Sequence, residues 1–151
     1  MNPSLERYIF ASLAKHFRTL CSTNSIEFLT EREIRDTGSL AEWVELRVIG
    51  PEFKWLGGNE YQVSLEIDLL VTVTPSKTNL LRLDTIIGIL AANCNNIPVY
   101  SSNDTNDFLF CLPLDNEIAQ NIKVLVYGQQ ASIKQQRASV MAIYETETAI
   151  S

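Results

Sequence analysis

The chain has 151 residues, of which 46% are hydrophobic and 20% are charged, and its formal net charge is −6. This length and composition predict one ordinary globular domain with a real hydrophobic core. The acidic balance argues against a protein that wraps nucleic acid, because that affinity comes from Lys and Arg side chains that neutralise phosphates.

The sequence carries no signal for secretion or for a membrane. Its first ten residues, MNPSLERYIF, lack the basic region and apolar run of a signal peptide. No apolar stretch approaches the roughly 20 residues that span a bilayer. Three widely spaced cysteines, Cys21, Cys94 and Cys111, favour reduced, buried thiols and offer no CxxC pair for zinc or dithiol chemistry. We therefore expect a protein assembled in the cytosol, without a metal or cofactor.

The first predicted element is a helix over residues 3–21, because Asn2 followed by Pro3 is typical of a helix start. Its apolar residues follow helical spacing and form a stripe that would pack on a sheet: Leu5, Tyr8, Ile9, Leu13, Phe17 and Leu20. After a polar break, a strand is predicted over residues 26–32.

The next predicted element is a large antiparallel hairpin over residues 41–73. Its first strand covers residues 43–49, and Gly50 with Pro51 would end it. The connection that follows, residues 50–60, is too long for a tight turn.

The second strand of this hairpin is unusually long. Apolar and polar residues alternate from Tyr61 to Val73, which predicts one continuous, half-buried strand. At about 3.3 Å per residue it spans about 43 Å, whereas a compact domain of this length has a diameter of about 40 Å. The strand is as long as the domain, which indicates a hairpin that projects.

A second helix is predicted over residues 79–94, and the rest of the chain is β. The residues from 128 to 137 are a polar connection, either a mobile loop or a hairpin tip. The predicted fold class is α+β: a mostly antiparallel sheet with a long projecting hairpin, flanked by two main helices on one face. The remaining β segments cover residues 99–100, 108–112, 123–127 and 138–144.

Catalytic signals are weak. His16 is the single histidine and has no ligand partner at metal-binding spacing, so a structural role is favoured. Glu66 and Asp68 are two apart on a strand, so both carboxylates point the same way. They could form an acid–base pair in a cleft, but their small polar neighbours favour a solvated sheet face.

Four residues are candidates for subunit contacts. Trp43, Phe53 and Trp55 cluster around the hairpin, either as interface anchors or as a local mini-core. Leu70 lies on the polar face of the long strand, either as an ordinary exposed residue or as a contact with a neighbouring subunit.

The layout of the chain resembles the tail terminator proteins of long-tailed bacteriophages, also called tail completion or neck proteins. The likeness is carried by WVELRVIGPEFKWLGGNEYQVSLEIDLLVTV and the helix NLLRLDTIIGILAANC, as an order of elements rather than a signature. It implies a homo-hexameric ring, without enzymatic activity, that caps the tail tube in the virion. The implied partners are the tail tube protein, a head-side connector or stopper protein, and DNA passing through the lumen without specific binding.

Two features fit this implication, and two alternatives stay open. A long hairpin could lie across the next subunit, and Gln62, Glu66 and Asp68 could face the channel and repel DNA phosphates. Six chains of charge −6 would carry −36. The alternatives are another tail or neck subunit, such as a tube or head-closure protein, and a small cytosolic enzyme or ligand-binding domain built around Glu66 and Asp68.

Overall fold

The computed structural model describes residues 3–76, 81–101, 107–115, 121–130 and 135–149. Five strands form one sheet in the order β1-β2-β3-β7-β6, and β4 pairs with β5 in a separate ribbon. All pairings are antiparallel except that of β1 with β2. The predicted α+β class is confirmed. The elements are α1 (Leu5–Thr23), β1 (Phe28–Thr30), β2 (Glu42–Gly57), β3 (Glu60–Val73), α2 (Arg82–Ala92), β4 (Ile97–Tyr100), β5 (Phe108–Leu112), β6 (Ile122–Gln130) and β7 (Gln135–Ala149).

The core lies between one face of the five-stranded sheet and the two helices. The odd-numbered residues of β3 from Val63 to Val73 are buried, as the alternation predicts. In α1 the buried apolar residues recur every four positions, so they form one row along the helix: Leu5, Ile9, Leu13, Phe17 and Cys21. Burying each large apolar side chain stabilises the fold by about 1.5–3 kcal/mol. The same cluster includes Leu83, Ile86 and Leu90 of α2, so both helices cover the same face.

A buried hydrogen bond ties the end of α2 to β7. The Tyr144 hydroxyl donates to the main-chain carbonyl of Cys94 at 2.7 Å, and both residues are fully buried. Burial raises the pKa of Tyr144 above its ordinary range, with smaller contributions from Cys94. Burial also raises the pKa of the Cys21 and Cys94 thiols to about 11. These two cysteines are free and buried as predicted, whereas Cys111 is partly exposed.

The hairpin is longer and tighter than predicted. The expectation that Gly50 and Pro51 end the first strand is wrong, because β2 continues to Gly57 through a register shift between Ile49 and Glu52. Proline is tolerated at such a bulge and where a strand edge is unpaired, and β1 pairs β2 only as far as Leu46. The connection is therefore a tight turn at residues 57–60 rather than a loop of residues 50–60. Gly57 and Gly58 supply the positive φ angles of this turn, +128° and +54°.

The C-terminal strands also exceed their predicted lengths. The strand predicted over residues 138–144 extends to Ala149, and it pairs with β3 along the whole length of β3. The hairpin thus becomes a three-stranded ribbon. We call its end, residues 52–64 and 145–149, the tongue.

Several predicted boundaries shift by a few residues. The helix predicted over residues 3–21 is α1, Leu5–Thr23, and the strand predicted over 26–32 shortens to Phe28–Thr30. The second helix begins at Arg82, and residues 79–80 of its predicted span lie outside the described residues. Much of the connection predicted over 128–137 is strand, and its residues 131–134 also lie outside them.

Candidate interaction surface

The even-numbered residues of β3 form a second face of the sheet, opposite the helices. We call this surface, made by β3 with the neighbouring residues of β2, β7 and β6, the open face. Within the described ranges, both helices pack on the other side. Most of the β3 side chains on the open face are partly exposed, and only Thr72 is buried. Trp43, Thr72 and Ser139 on this face are already buried, and its partly exposed remainder is available to another molecule.

The three residues predicted to face a channel all lie on the open face. The Gln62 side-chain amide donates a hydrogen bond to the Glu145 carboxylate on β7. Glu66 lies between Ile49 and Ile143 on the adjacent strands. The cross-strand neighbours Ile49 and Ile143 are apolar, so the open face is more mixed in character than the mostly polar surface that β3 alone indicates.

Asp68 lies between Arg47 and Met141. The Arg47 guanidinium hydrogen-bonds to Glu45, with its Nη2 at 2.9 Å, rather than to Asp68. The Oδ1 atom of Asp68 is buried and accepts no hydrogen bond within the described part of the chain.

A catalytic reading of the Glu66 and Asp68 pair gains no support from this geometry. Neither carboxylate lines the groove between α1 and β4 or the groove formed by the end of α1 and β1. Among the described residues, no group of three or more His, Cys, Asp or Glu is placed to hold a metal ion. His16 has a structural contact, since its Nε2 lies 2.8 Å from the carbonyl oxygen of Asn93 just beyond α2.

The four residues predicted as subunit contacts differ in the surface that they offer. Trp43 is only 9% exposed, and Phe53 packs partly against the main core, so neither offers much free surface. They form no local mini-core, because Trp43 pairs with Thr72 and Phe53 with Val63, on opposite faces of the sheet. Leu70 is half-buried on the open face between Glu45 and Ser139. Trp55, at the tip of the tongue, is 66% exposed.

The edge strand β6 is a feature that the sequence reasoning missed. Four consecutive apolar side chains are 41–55% exposed: Val124, Leu125, Val126 and Tyr127. Val124 and Val126 lie on the helix side of the sheet, opposite Val140 and Ala138, while Leu125 lies on the open face opposite Ser139. The sheet ends at β6, which pairs only with β7 in the described chain. We call this segment, residues 124–127, the apolar edge.

An apolar edge of this kind favours pairing with another chain. Monomeric proteins usually protect edge strands with charges, prolines or bulges, because unpaired N–H and C=O groups are a template for a further strand. The strand from Ile122 to Gln130 has one charged residue, Lys123, and one register shift, between Val126 and Gly128, so its regular, nearly uncharged part is residues 122–126. The run KVLVY predicts a strand, but its edge position depends on the topology of the sheet, which the run does not reveal.

A groove lies between α1 and β4. Its volume is about 390 Å³, and its surface is mostly apolar. The apolar lining comes from Leu20, Pro98 and the Tyr100 ring, and the ammonium group of Lys15 lies 6.0 Å from the centre of that ring. We call this cavity the helix groove.

Comparisons with known proteins do not assign the chain to a family. No protein-family model matches the sequence, and a search of curated proteins finds no significant relative. Within the described residues, no helix is both long and apolar enough to cross a membrane.

Proposed function

We propose that this protein is a structural subunit that self-associates into a closed ring, in the manner of a phage tail terminator. The observation that carries the proposal is the apolar edge, with the open face beside it. Burying apolar surface is worth about 25 cal/mol per Å² removed from water, so this edge gains stability when another chain covers it. The tongue and the apolar edge are different parts of the molecule. A contact between the tongue of one copy and the apolar edge of the next is therefore head-to-tail, and repeated contacts of this kind can close into a ring.

The ring accounts for the length of the β2–β3 ribbon. Core packing ends near Val63, yet the strands continue to the turn at residues 57–60. Residues 54–56 and 58–60 are exposed in the isolated chain. Ordering these residues costs conformational entropy of about 1–2 kcal/mol each for the backbone. A contact with a second subunit offsets that cost, whereas the tongue has few contacts with its own core.

In this proposal the open face, with Gln62, Glu66 and Asp68, faces the lumen through which DNA moves. The carboxylates give the wall a negative potential, which keeps phosphates from adhering. The ring caps the tail tube and meets the head-side connector, so its site of action is the neck of the virion. The protein carries out no catalysis in this role.

The primary test is the mass and shape of the purified protein. We expect a closed ring of constant copy number with a central channel, measured by native mass spectrometry and negative-stain electron microscopy. Tubes of indefinite length would favour the tail tube alternative. A strict monomer at about 100 µM would overturn self-association, since interfaces of standard size bind in the micromolar range or tighter.

A pair of variants tests the role of the apolar edge. Val126→Lys places a charge on the edge, and Ile34→Lys makes the same change at a residue that is fully exposed and outside the sheet. We expect Val126→Lys to shift the population from ring to monomer, while Ile34→Lys leaves it unchanged. Equal assembly of both variants would show that the edge is not an interface.

A further inference from the structure

We infer that β6 of one chain pairs, main chain to main chain and antiparallel, with the tongue part of β2 in a second copy of this chain. The inference rests on the proposed self-association and names the contact that carries it. It joins the strand edges at the two ends of the five-stranded sheet, so that the sheet continues from one copy into the next.

The outer edge of β6 presents main-chain groups at alternate residues. The carbonyl of Asn121, just before β6, accepts the main-chain N–H of Ile143 on β7 at 3.1 Å. Because hydrogen bonding alternates along an antiparallel strand, the odd-numbered residues of β6 up to Leu125 bond to β7. The main-chain N–H and C=O groups of Val124 and Val126 therefore point away from the sheet.

The tongue part of β2 presents a second edge of this kind. The main-chain N–H of Val48 donates to the Glu31 carboxylate at 3.2 Å, so the even-numbered residues of β2 point outward before the bulge. The bulge at residues 49–52 shifts the pairing with β3 by one residue, and the outward direction passes to Phe53 and Trp55. No described strand lies beside these two residues, because β1 stops pairing before Val48.

The directions of the two edges fit an antiparallel contact. The pairings β2–β3, β3–β7 and β7–β6 are all antiparallel, so β2 and β6 run in opposite directions. A rotation about a ring axis along the strands preserves these directions, so β6 of one copy meets an oppositely directed β2 of the next. The outward-pointing residues of both strands have their side chains on the helix side, and opposite residues in such a pair share a face. The open face therefore continues unbroken between copies.

The charges of the two strands select the register. If Val124 lies opposite Phe53, then Lys123 of one copy lies directly opposite Lys54 of the other, and like charges in that position are destabilising. If Val124 lies opposite Trp55, the two lysines move to a diagonal position. The structure therefore favours the register that pairs Val124 with Trp55.

This register also covers apolar side chains that the isolated chain leaves exposed. Trp55 is 66% exposed and Val124 is 43% exposed, and the pairing brings them together. It brings Val126, which is 54% exposed, to Phe53. Pairs of an aromatic with a β-branched residue are among the stabilising cross-strand pairs.

The other edge of the tongue is a poorer partner for β6. It belongs to β7, where Glu145 and Glu147 alternate along the strand. Charged residues on an edge strand discourage the addition of another strand. The β2 edge has no such pattern, since its outward-pointing residues are Phe53 and Trp55.

Main-chain pairing is tested by removing a single N–H. Val124→Pro deletes an outward-pointing donor, and proline is tolerated at an edge position whose N–H faces solvent, so β6 should still pair with β7. The matched control is Val124→Ala, which shortens the side chain but keeps the N–H. We expect Val124→Pro to weaken assembly at least about tenfold and Val124→Ala less than about threefold, measured by sedimentation over a concentration series. Equal effects of the two variants would overturn main-chain pairing.

The register is tested by a disulfide on the open face, which leaves the paired helix-side residues intact. One chain carries Leu125→Cys and the other Lys54→Cys, both with Cys111→Ser to remove the partly exposed native thiol. In the inferred register these positions form a non-hydrogen-bonded pair with Cα atoms about 4.5 Å apart, which a disulfide can bridge. We expect a linked heterodimer under mild oxidation. Glu52→Cys, on the same face but in the rejected register, should link to Leu125→Cys at least about tenfold less.

The outcomes separate this contact from the ring itself. Rings that form with Val124→Pro as readily as in the wild type, and without a link between positions 54 and 125, would overturn the contact and leave the ring in place. Linked chains that grow without closing would support the contact and overturn the ring. Homodimers of the Leu125→Cys chain as abundant as the heterodimer would show that two β6 strands pair with each other, which also overturns the contact.

Discussion

Removing the Tyr144 hydroxyl should cost the protein a measurable part of its stability. The hydroxyl donates its 2.7 Å hydrogen bond inside the core, where Tyr144 and the Cys94 residue that accepts it are 0% exposed. Tyr144→Phe deletes one oxygen and leaves the carbonyl of Cys94 buried without this donor. An unsatisfied buried acceptor costs about 1–3 kcal/mol. For a chain of this size each kcal/mol lowers the melting temperature by about 2–4 °C, so we expect a fall of about 2–12 °C.

Urea denaturation followed by tryptophan fluorescence measures this change as a shift of the midpoint with an unaltered slope. The matched control is Tyr8→Phe, since the Tyr8 hydroxyl is only partly buried and has no hydrogen bond within the described residues. That control should change the free energy of unfolding by less than about 0.5 kcal/mol. A Tyr144→Phe protein as stable as the wild type, or an equal loss in both variants, would refute the reasoning.

Three further predictions follow from other contacts. At pH 8 a thiol reagent should modify only Cys111 in the folded protein. The thiols of Cys21 and Cys94 have a pKa of about 11, so only about a thousandth of each is ionised at this pH. Rapid modification of all three cysteines would contradict the burial of these two. Arg82 donates two hydrogen bonds to Glu42, at 2.8 and 2.9 Å, so Arg82→Ala should cost about 1.5–3 kcal/mol by urea denaturation. Replacing Glu42 as well should cost less than the sum of the two single changes. With Glu66→Lys, the assembled protein should lower the electrophoretic mobility of DNA in a low-salt gel, whereas Glu6→Lys, the same charge change on α1, should not. An equal shift with both variants would show that Glu66 does not face the DNA channel.

The part of the fold that the sequence predicted well is the part governed by local periodicity. The alternation from Tyr61 to Val73 identified both faces of β3, and the apolar spacing after Leu5 identified α1 and its buried row. In each case the side-chain direction repeats with the backbone geometry, every two residues in a strand and every 3.6 in a helix. A few neighbouring residues therefore carry enough information to say which side faces the core.

The candidate surfaces depended on which strands lie side by side, and periodicity does not contain that information. Pro51 stays within β2 because β1 stops pairing at Leu46 and leaves that edge of β2 free. Trp43 and Trp55 belong to the same strand, yet one is covered within the sheet and the other extends past the core. The exposure of residues 124–127 likewise arises only because β6 is the last strand of the sheet. Local spacing determined which side chains face the core. The tertiary structure decided where the buried surface ends, because burial requires a neighbouring element that is distant in the chain.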